Sequence, residues 1–130
     1  MIVLDASAVV EALLRMPAAG PIERLLLDSG RTLHAPHLVD IEVAQVVRRY
    51  ALMGQVDEER GREALDDLLA LPIRRYAHGF LLPRVWELRP NMTAYDAMYV
   101  ALAEMLDAAL VTRDRRLAAV AGRYATVELV

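Results

Sequence analysis

The 130-residue sequence contains no cysteine and no lysine, and only 5% of its residues are aromatic. The absence of cysteine excludes disulfide bonds, thiolate zinc sites and a cysteine nucleophile, and it is typical of a reducing compartment such as the cytoplasm. The net charge of −3 argues against a protein that holds nucleic acid by bulk positive charge. All 15 basic residues are arginine, a side chain suited to bidentate phosphate contacts.

Long hydrophobic runs are also missing. No stretch approaches the roughly 18 apolar residues that a membrane span needs, and Asp5 and Glu11 interrupt the opening apolar run, unlike a signal peptide. We therefore expect a cytoplasmic protein without a membrane association. Because 56% of the residues are hydrophobic and 25% are charged, the composition predicts one folded domain over residues 1–130.

Short apolar runs alternate with longer amphipathic stretches along the chain. This alternation predicts an α/β fold, with a mostly parallel central sheet flanked by helices on both faces. Strands are predicted at residues 2–4, 32–36, 73–76, 109–112 and 126–130. Helices are predicted at residues 21–29, 38–53, 57–71, 79–88, 93–106 and 115–121, after a first helix that Ser7 caps and that runs through residue 15 and stops before Pro17.

Four carboxylates occur in otherwise apolar surroundings: Asp5, Glu42, Asp96 and Asp114. Ionised carboxylates are costly in such surroundings unless a positive charge compensates them. Asp5 and Asp114 follow predicted strands, whereas Glu42 and Asp96 lie near predicted helix starts, and both positions face the same rim of an open parallel sheet. Four converging carboxylates favour a site for a hard divalent cation, which prefers oxygen ligands.

Each carboxylate also has a structural alternative. Asp5 could complete a strand-to-helix turn, Asp96 could form a capping box with Thr93, and Asp114 could cap the helix that follows it. Glu42 is harder to explain in this way, because it borders an apolar stripe of valines. Taken singly, the three aspartates favour the structural interpretation, but four such placements on one rim favour a site.

Other chemical motifs are weaker. His34, His37 and His78 lack the spacing of a histidine zinc site, and the sequence contains no GxSxG, Walker A or GxGxxG motif. Aromatic and methionine side chains recur at helical spacing at Tyr95, Met98, Tyr99 and Met105. We interpret them as core or interface residues rather than a base-stacking platform.

Four segments resemble the PIN domain and, within it, the small VapC toxins of type II toxin–antitoxin systems. They are MIVLDASAVVEALL, HLVDIEVAQVVRR, NMTAYDAMYVALAE and LVTRDRRLA, and together the resemblance covers essentially the whole chain as a single PIN domain. The third segment is the most specific. The first departs slightly from the family, since Ser7 stands where threonine is common.

The resemblance implies a metal-dependent endoribonuclease, a hydrolase that cleaves RNA phosphodiester bonds with a metal-activated water. Asp5, Glu42, Asp96 and Asp114 would be catalytic and would bind Mg²⁺ or Mn²⁺, with Asp5 and Asp96 as central ligands.

Further residues receive supporting roles. Ser7 and Thr112 would orient the ligands or a metal-bound water, and Asn91 would act beside the site or on the substrate side. Because RNA is negatively charged, we expect the arginines at positions 113, 115 and 116 to help bind it.

The resemblance also implies partners: an RNA substrate, a cognate VapB-type antitoxin that docks in a groove beside the early helices, and a second copy of the chain in a homodimer. Three alternatives stay open at this point. The chain could be a PIN nuclease of RNA processing, a non-catalytic PIN-like binding module, or a phosphatase with Asp5 as nucleophile. Such phosphatases usually carry a second aspartate where this chain has Ser7.

Overall fold

The computed structural model describes residues 1–15 and 19–130. The predicted end of the first helix before Pro17 therefore lies outside the described residues. Five strands and seven α-helices alternate in the described part of the chain: β1 (Ile2–Leu4), α1 (Ala6–Leu13), α2 (Ala19–Leu27), β2 (Leu33–Pro36), α3 (Leu38–Leu52), α4 (Glu58–Ala70), β3 (Ile73–Tyr76), α5 (Leu82–Glu87), α6 (Ala94–Leu106), β4 (Ala109–Thr112), α7 (Arg115–Ala121) and β5 (Val127–Leu129).

The described strands form one parallel sheet in the order β3-β2-β1-β4-β5. The chain first moves outward from β1 through β2 to β3, and then places β4 and β5 on the other side of β1. The direction of winding therefore reverses between β1 and β4. In open α/β sheets, a crevice forms at such a reversal, beyond the carboxyl ends of the strands, and ligands bind there.

The core lies on both faces of this sheet. Ile2, Val3 and Leu4 are all buried, although successive strand side chains point to opposite faces. Both faces are thus covered, as the sequence predicted. Helix α6 is also buried all round from Ala97 to Ala103, and only its first turn and its end reach the surface.

Helix starts differ from the prediction at one functional position. Asp5, not Ser7, caps α1: its backbone is extended, and its side chain accepts a hydrogen bond from the Ala8 N–H at 3.1 Å. Ser7 lies inside the helix. Both residue types favour helix N-caps, so the composition of the turn alone did not distinguish them.

Other boundaries move by a few residues. Helix α1 ends at Leu13 rather than at residue 15, and α2 begins at Ala19, two residues before its predicted start. The helix predicted over residues 79–88 is divided into a 3₁₀ turn (Gly79–Leu81) and α5. Pro83 lies in the first turn of α5, where its fixed φ is compatible with a helix start. No helix in the described ranges is long and apolar enough to cross a membrane.

Candidate functional site

The site lies at the sheet reversal, where β1 and β4 end side by side. Asp5 directly follows β1, and its backbone N–H donates to the Val111 carbonyl at 3.2 Å. Thr112 is the last residue of β4, and Asp114 follows two residues later. The two strand ends therefore deliver Asp5, Thr112 and the loop that carries Asp114 to one crevice.

Three hydrogen bonds fix the Asp5 carboxylate, which is 5% exposed. Oδ1 accepts from the Ser7 hydroxyl at 2.6 Å and from the Ala8 N–H at 3.1 Å. Oδ2 accepts from the Thr112 hydroxyl. Burying a carboxylate is costly without such donors, so this set both stabilises the group and sets its orientation.

The same two hydroxyls hold the loop between β4 and α7. Ser7 Oγ accepts from the Arg113 N–H at 2.9 Å, and Thr112 Oγ1 accepts from the Asp114 N–H at 2.9 Å. Asp114 in turn caps α7 by accepting from the backbone N–H groups of Arg116 and Leu117 at 2.9 and 3.1 Å. Ser7 and Thr112 thus link the orientation of Asp5 to the position of Asp114.

Glu42 reaches the crevice from the first turns of α3 and is half-buried. Its Oε1 accepts a hydrogen bond from the Tyr99 hydroxyl at 2.6 Å. Burial, together with the neighbouring Glu42 carboxylate, raises the pKa of Tyr99 well above its usual range. The phenol therefore stays protonated at neutral pH and acts as a permanent donor to Glu42.

Asp96 lies in the first turn of α6. The helix is capped by Thr93, whose hydroxyl accepts from the Asp96 N–H at 3.2 Å. Asp96 and Asp114 line one open groove of about 350 Å³. Its lining residues come from the loop before α6, the first turn of α6, and α7: Asn91, Met92, Thr93, Asp96, Asp114, Arg116, Leu117 and Val120.

The charges of the four carboxylates act on one another. Burial raises the pKa of Asp5, and the charge of Asp114 raises it further. Burial also raises the pKa of Glu42, with Asp96 and Asp5 adding to the effect. Asp96 behaves in the same way: its pKa is raised first by burial and then by Asp114 and Asp5. Asp5 and Asp96 are therefore the two acids that interact with all the others.

The structural alternatives and the site occur together. Asp114 caps α7, as its structural alternative predicted, and Asp5 caps α1, where Ser7 was predicted to do so. The charge of Asp114 nevertheless acts on Asp5 at the crevice. An N-cap carboxylate is held at the start of its helix. Because α1 and α7 start at the rim of the sheet, capping also places both carboxylates at the rim.

The chemistry of these donors suits a hard divalent cation, because they are all oxygens and they carry uncompensated mutual repulsion. Within residues 1–15 and 19–130, however, no three histidine, aspartate or glutamate side chains are arranged so that they could hold a metal ion. The donor set therefore fits the ion in chemistry and charge, and a shared ion would require the carboxylates to draw closer together.

The remaining predicted residues have mixed positions. The Asn91 side chain lines the groove and donates through Nδ2 to the Tyr124 hydroxyl at 2.8 Å. Arg116 lines the groove, and Arg115 is exposed beside it. Arg113 makes other contacts: its Nη1 donates to the Val130 carbonyl at 2.7 Å, and its Nε lies 3.8 Å from the buried Glu11 carboxylate.

One residue of the site was missed. The sequence placed Tyr99 in the core or an interface, and it is buried, but its hydroxyl also holds Glu42. A signal was present, since a tyrosine among the small residues of a fully buried helix needs a partner for its hydroxyl. The sequence does not identify that partner, because Glu42 lies 57 residues away from Tyr99 along the chain.

Comparison with known proteins adds the family. Residues 2–123 match the PIN domain family. Ribonuclease VapC1 of Mycobacterium tuberculosis is 46% identical over 129 residues, which cover 98% of this chain and 96% of that protein. Ribonuclease VapC9 of the same species is 49% identical over 117 residues, which cover 90% of this chain and 88% of that protein.

Solved structures share the fold. PAE2754 from Pyrobaculum aerophilum superposes with a TM-score of 0.75 at 24% identity, covering 97% of this chain and 82% of that one. VapBC2 from Rickettsia felis, solved bound to a DNA fragment from its promoter, gives a TM-score of 0.74 at 18% identity, covering 100% and 99% of the two chains. The sequence matches go further than the fold, and on their extent the chain belongs to the PIN domain family and to its VapC branch.

Proposed function

We propose that the chain is an endoribonuclease, a hydrolase that cleaves RNA phosphodiester bonds with the help of Mg²⁺ or Mn²⁺, and that it acts as the toxin of a type II toxin–antitoxin pair. The proposed catalytic activity rests on one observation. The carboxylates of Asp5, Glu42 and Asp96 have raised pKa values because they are buried and face one another's charge, together with that of Asp114, at the sheet reversal. The names of the VapC relatives support the same reaction.

In this proposal the chain's own residues supply the negative charge and orient part of it. Ser7 and Thr112 hold Asp5 in one orientation, and Tyr99 occupies Oε1 of Glu42. Oε2 of Glu42 makes no hydrogen bond within the described residues. Carboxylate oxygens are the ligands that a hard divalent ion prefers, and Asp5, Glu42, Asp96 and Asp114 would hold it after drawing closer together.

The bound ion would neutralise charge on the scissile phosphate and make a water nucleophilic at neutral pH. The protein must also hold the negatively charged RNA beside an acidic site. Arg116 lies in the groove next to Asp96 and Asp114, and its guanidinium suits a phosphate oxygen pair. An unpaired strand fits best, because its bases are free to leave the stack.

The test is cleavage of single-stranded and loop RNA by purified protein. We expect cleavage in Mg²⁺ or Mn²⁺, no cleavage in EDTA, and recovery when the ion is restored. Activity that persists in EDTA would contradict the metal dependence. Formation of a phosphorylated protein instead of RNA products would favour the phosphatase alternative.

We also propose an antitoxin site in a groove beside the early helices. Residues of α1, α2 and α4 line an apolar groove of about 590 Å³: Ala12, Leu13, Arg15, Glu23, Leu26, Leu27, Asp67, Leu71 and Pro72. Leu27 is 83% exposed at its edge, and an exposed apolar strip of this kind suits the amphipathic segment of a partner. The Rickettsia felis complex of a VapB with a VapC-like chain supports such a pairing.

Expression in bacteria tests the toxin role. We expect growth arrest when the chain is expressed alone and relief when its neighbouring antitoxin gene is co-expressed. Leu27→Asp should remove the relief and keep the arrest, because it puts a charge in the proposed groove. Full RNA cleavage without growth arrest would instead favour a nuclease of RNA processing.

A homodimer is also proposed. Helix α5 exposes Leu82 and Trp86, one turn apart, at 55% and 67%, which gives an apolar stripe suited to a second copy. Light scattering should show a dimer for the wild-type chain and a monomer for Trp86→Glu. A wild-type monomer at micromolar concentration would contradict this proposal.

A further inference from the structure

Two histidines lie on the same rim as the carboxylates, after the next two strands of the sheet. His37 directly follows β2 and His78 lies two residues after β3, and these strands end in register, with Pro36 opposite Tyr76. The His37 N–H donates to the Tyr76 carbonyl at 2.9 Å. The two rings meet edge to face, with centroids 6.2 Å apart and an interplanar angle of 72°.

The His78 ring is held in a defined orientation. Its Nε2 accepts from the Leu38 N–H at 2.9 Å, so the proton of the neutral ring lies on Nδ1 and is directed elsewhere. Within the described residues, His78 Nδ1 and both ring nitrogens of His37 make no hydrogen bond. His37 is exposed, and its side chain does not cap α3. The pair therefore presents an accessible aromatic surface with free polar atoms.

The charge near this pair is favourable for RNA. The nearest acid on the same helix turn, Asp40, is paired with Arg75, whose Nε–H is shared between the two carboxylate oxygens at 2.8 and 3.0 Å. The Glu42 carboxylate is directed at Tyr99. The rim thus divides into an acidic half, at the ends of β1 and β4, and an aromatic half of low net charge, at the ends of β2 and β3.

The aromatic half lies within reach of the acidic half. His37 is five residues before Glu42, about 7.5 Å along the axis of α3 at about 1.5 Å per residue, and neighbouring strands are about 4.8 Å apart. The adjoining nucleotide of a strand cleaved at the carboxylates can span such a distance. Two histidines are too few ligands for a metal site of their own, and the described residues offer no third.

We propose that His37 and His78 form a subsite for the base of an unpaired nucleotide next to the scissile phosphate. His37 stacks on the base, and the His78 Nδ1–H donates to an acceptor on its edge. This proposal rests on the proposed ribonuclease function. A chain with a net charge of −3 gains little from bulk electrostatic attraction to RNA, so stacking supplies affinity that charge does not. Stacking also tolerates any base, because every base has a π-face.

Binding of fluorescently labelled oligoadenylate RNA, followed by anisotropy in Ca²⁺ at several salt concentrations, tests the proposal independently of cleavage. His37→Phe retains a flat ring, whereas His37→Leu retains the bulk and loses the ring. We expect wild-type affinity for His37→Phe and about tenfold weaker binding for His37→Leu, within the range measured for base–aromatic stacking. The slope of affinity against salt should not change, because neither substitution touches a proposed phosphate contact.

Arg116→Gln is the matched comparison, since it removes a proposed phosphate contact and should reduce the salt slope by about one. Equal binding by His37→Leu and wild type would overturn the subsite, as would equally weak binding by His37→Phe. If the wild-type protein cleaves RNA but all His37 variants bind it equally well, the subsite is rejected and the ribonuclease proposal is kept. If the variants bind as expected but the wild-type protein does not cleave RNA, the subsite is kept and the ribonuclease proposal is rejected.

Discussion

At the scale of single residues, the clustered carboxylates of the site lower the stability of the folded protein. Asp5, Glu42 and Asp96 have raised pKa values because of burial and mutual repulsion, so each ionised group makes the folded state less stable than isolated carboxylates would. The hydroxyls of Ser7, Thr112 and Tyr99 offset part of this cost. The remaining repulsion is the free energy that a bound cation would release.

Asp96→Asn should abolish RNA cleavage without unfolding the protein. The substitution keeps the size of the side chain and removes one charge of the proposed ligand set, which also relieves repulsion from Asp5 and Asp114. In EDTA, the variant should be at least as stable as wild type in urea denaturation. Asp66→Asn, at an exposed position of α4, is the control and should change neither property. Cleavage at the wild-type rate in Mg²⁺ would refute the catalytic role.

Acid should stabilise the protein when no cation is bound. A raised pKa means that the folded state keeps its proton at a pH where the unfolded chain has already lost it. The free energy of unfolding in EDTA should therefore fall as pH rises from about the unfolded values, 3.8 for Asp96 and 4.5 for Glu42, to the raised ones, and level off above them. Urea denaturation as a function of pH measures this slope, and Asp96→Asn should make it shallower. A stability that rises steadily through the same interval would contradict the direction of these shifts.

Tyr99→Phe should change the pH dependence of cleavage. The hydrogen bond from Tyr99 lowers the pKa of Glu42, so its removal raises that pKa and moves the acidic limb of the rate profile to higher pH. The loss of one buried hydrogen bond should also cost about 1 kcal/mol of stability. Tyr50→Phe is a suitable control, because the Tyr50 hydroxyl makes no hydrogen bond within the described residues. An unchanged acidic limb would show that Glu42 does not need Tyr99.

At the scale of elements, the sequence was most informative about the strands that carry the site. The runs at residues 2–4 and 109–112 are short, apolar and followed by aspartates, and β1 and β4 have these bounds. Alternation with helical patterns predicted the parallel sheet, and the parallel sheet placed both strand ends on one rim. The third acidic segment predicted α6 well, because Thr93 marks its start and the helix is apolar except for Asp96 and Glu104.

Contacts between distant elements were not predictable in this way. Arg113 was predicted to help bind RNA, and its contacts with the buried Glu11 of α1 and the Val130 carbonyl were not predicted. Tyr99 was predicted to be a core or interface residue. Its hydroxyl also donates to Glu42 and thereby joins α6 to α3. Sequence patterns report which face of an element is buried. They do not report which polar group of another element it meets.

Helix capping next to the site should affect both stability and activity. Thr93→Ala removes the side-chain acceptor of the Asp96 N–H, and Asp57→Ala removes the equivalent acceptor of the Arg60 N–H at the start of α4. Each should lower the free energy of unfolding by about 1 kcal/mol. Only Thr93→Ala should also lower kcat, because α6 positions Asp96. Equal activity of the two variants would show that the cap does not position the carboxylate.

At the scale of the whole molecule, a cation that binds the folded state raises stability by mass action. If the folded chain alone holds the ion, the gain at a concentration of 100 times Kd is about 2.7 kcal/mol. Scanning calorimetry should therefore show a higher Tm in Mn²⁺ than in EDTA at equal ionic strength. Asp96→Asn should lose most of this increase, and an equal increase in both proteins would place the bound ion elsewhere.

The pairing of β1 with β4 has a consequence during synthesis. Thr112 donates to Asp5 across 107 residues of sequence, and Asp114 follows only after β4. A nascent chain therefore presents Asp5 and Glu42 before β4 and Asp114 have been synthesised. The crevice can therefore close only after the β4–α7 segment has been synthesised and has docked beside β1.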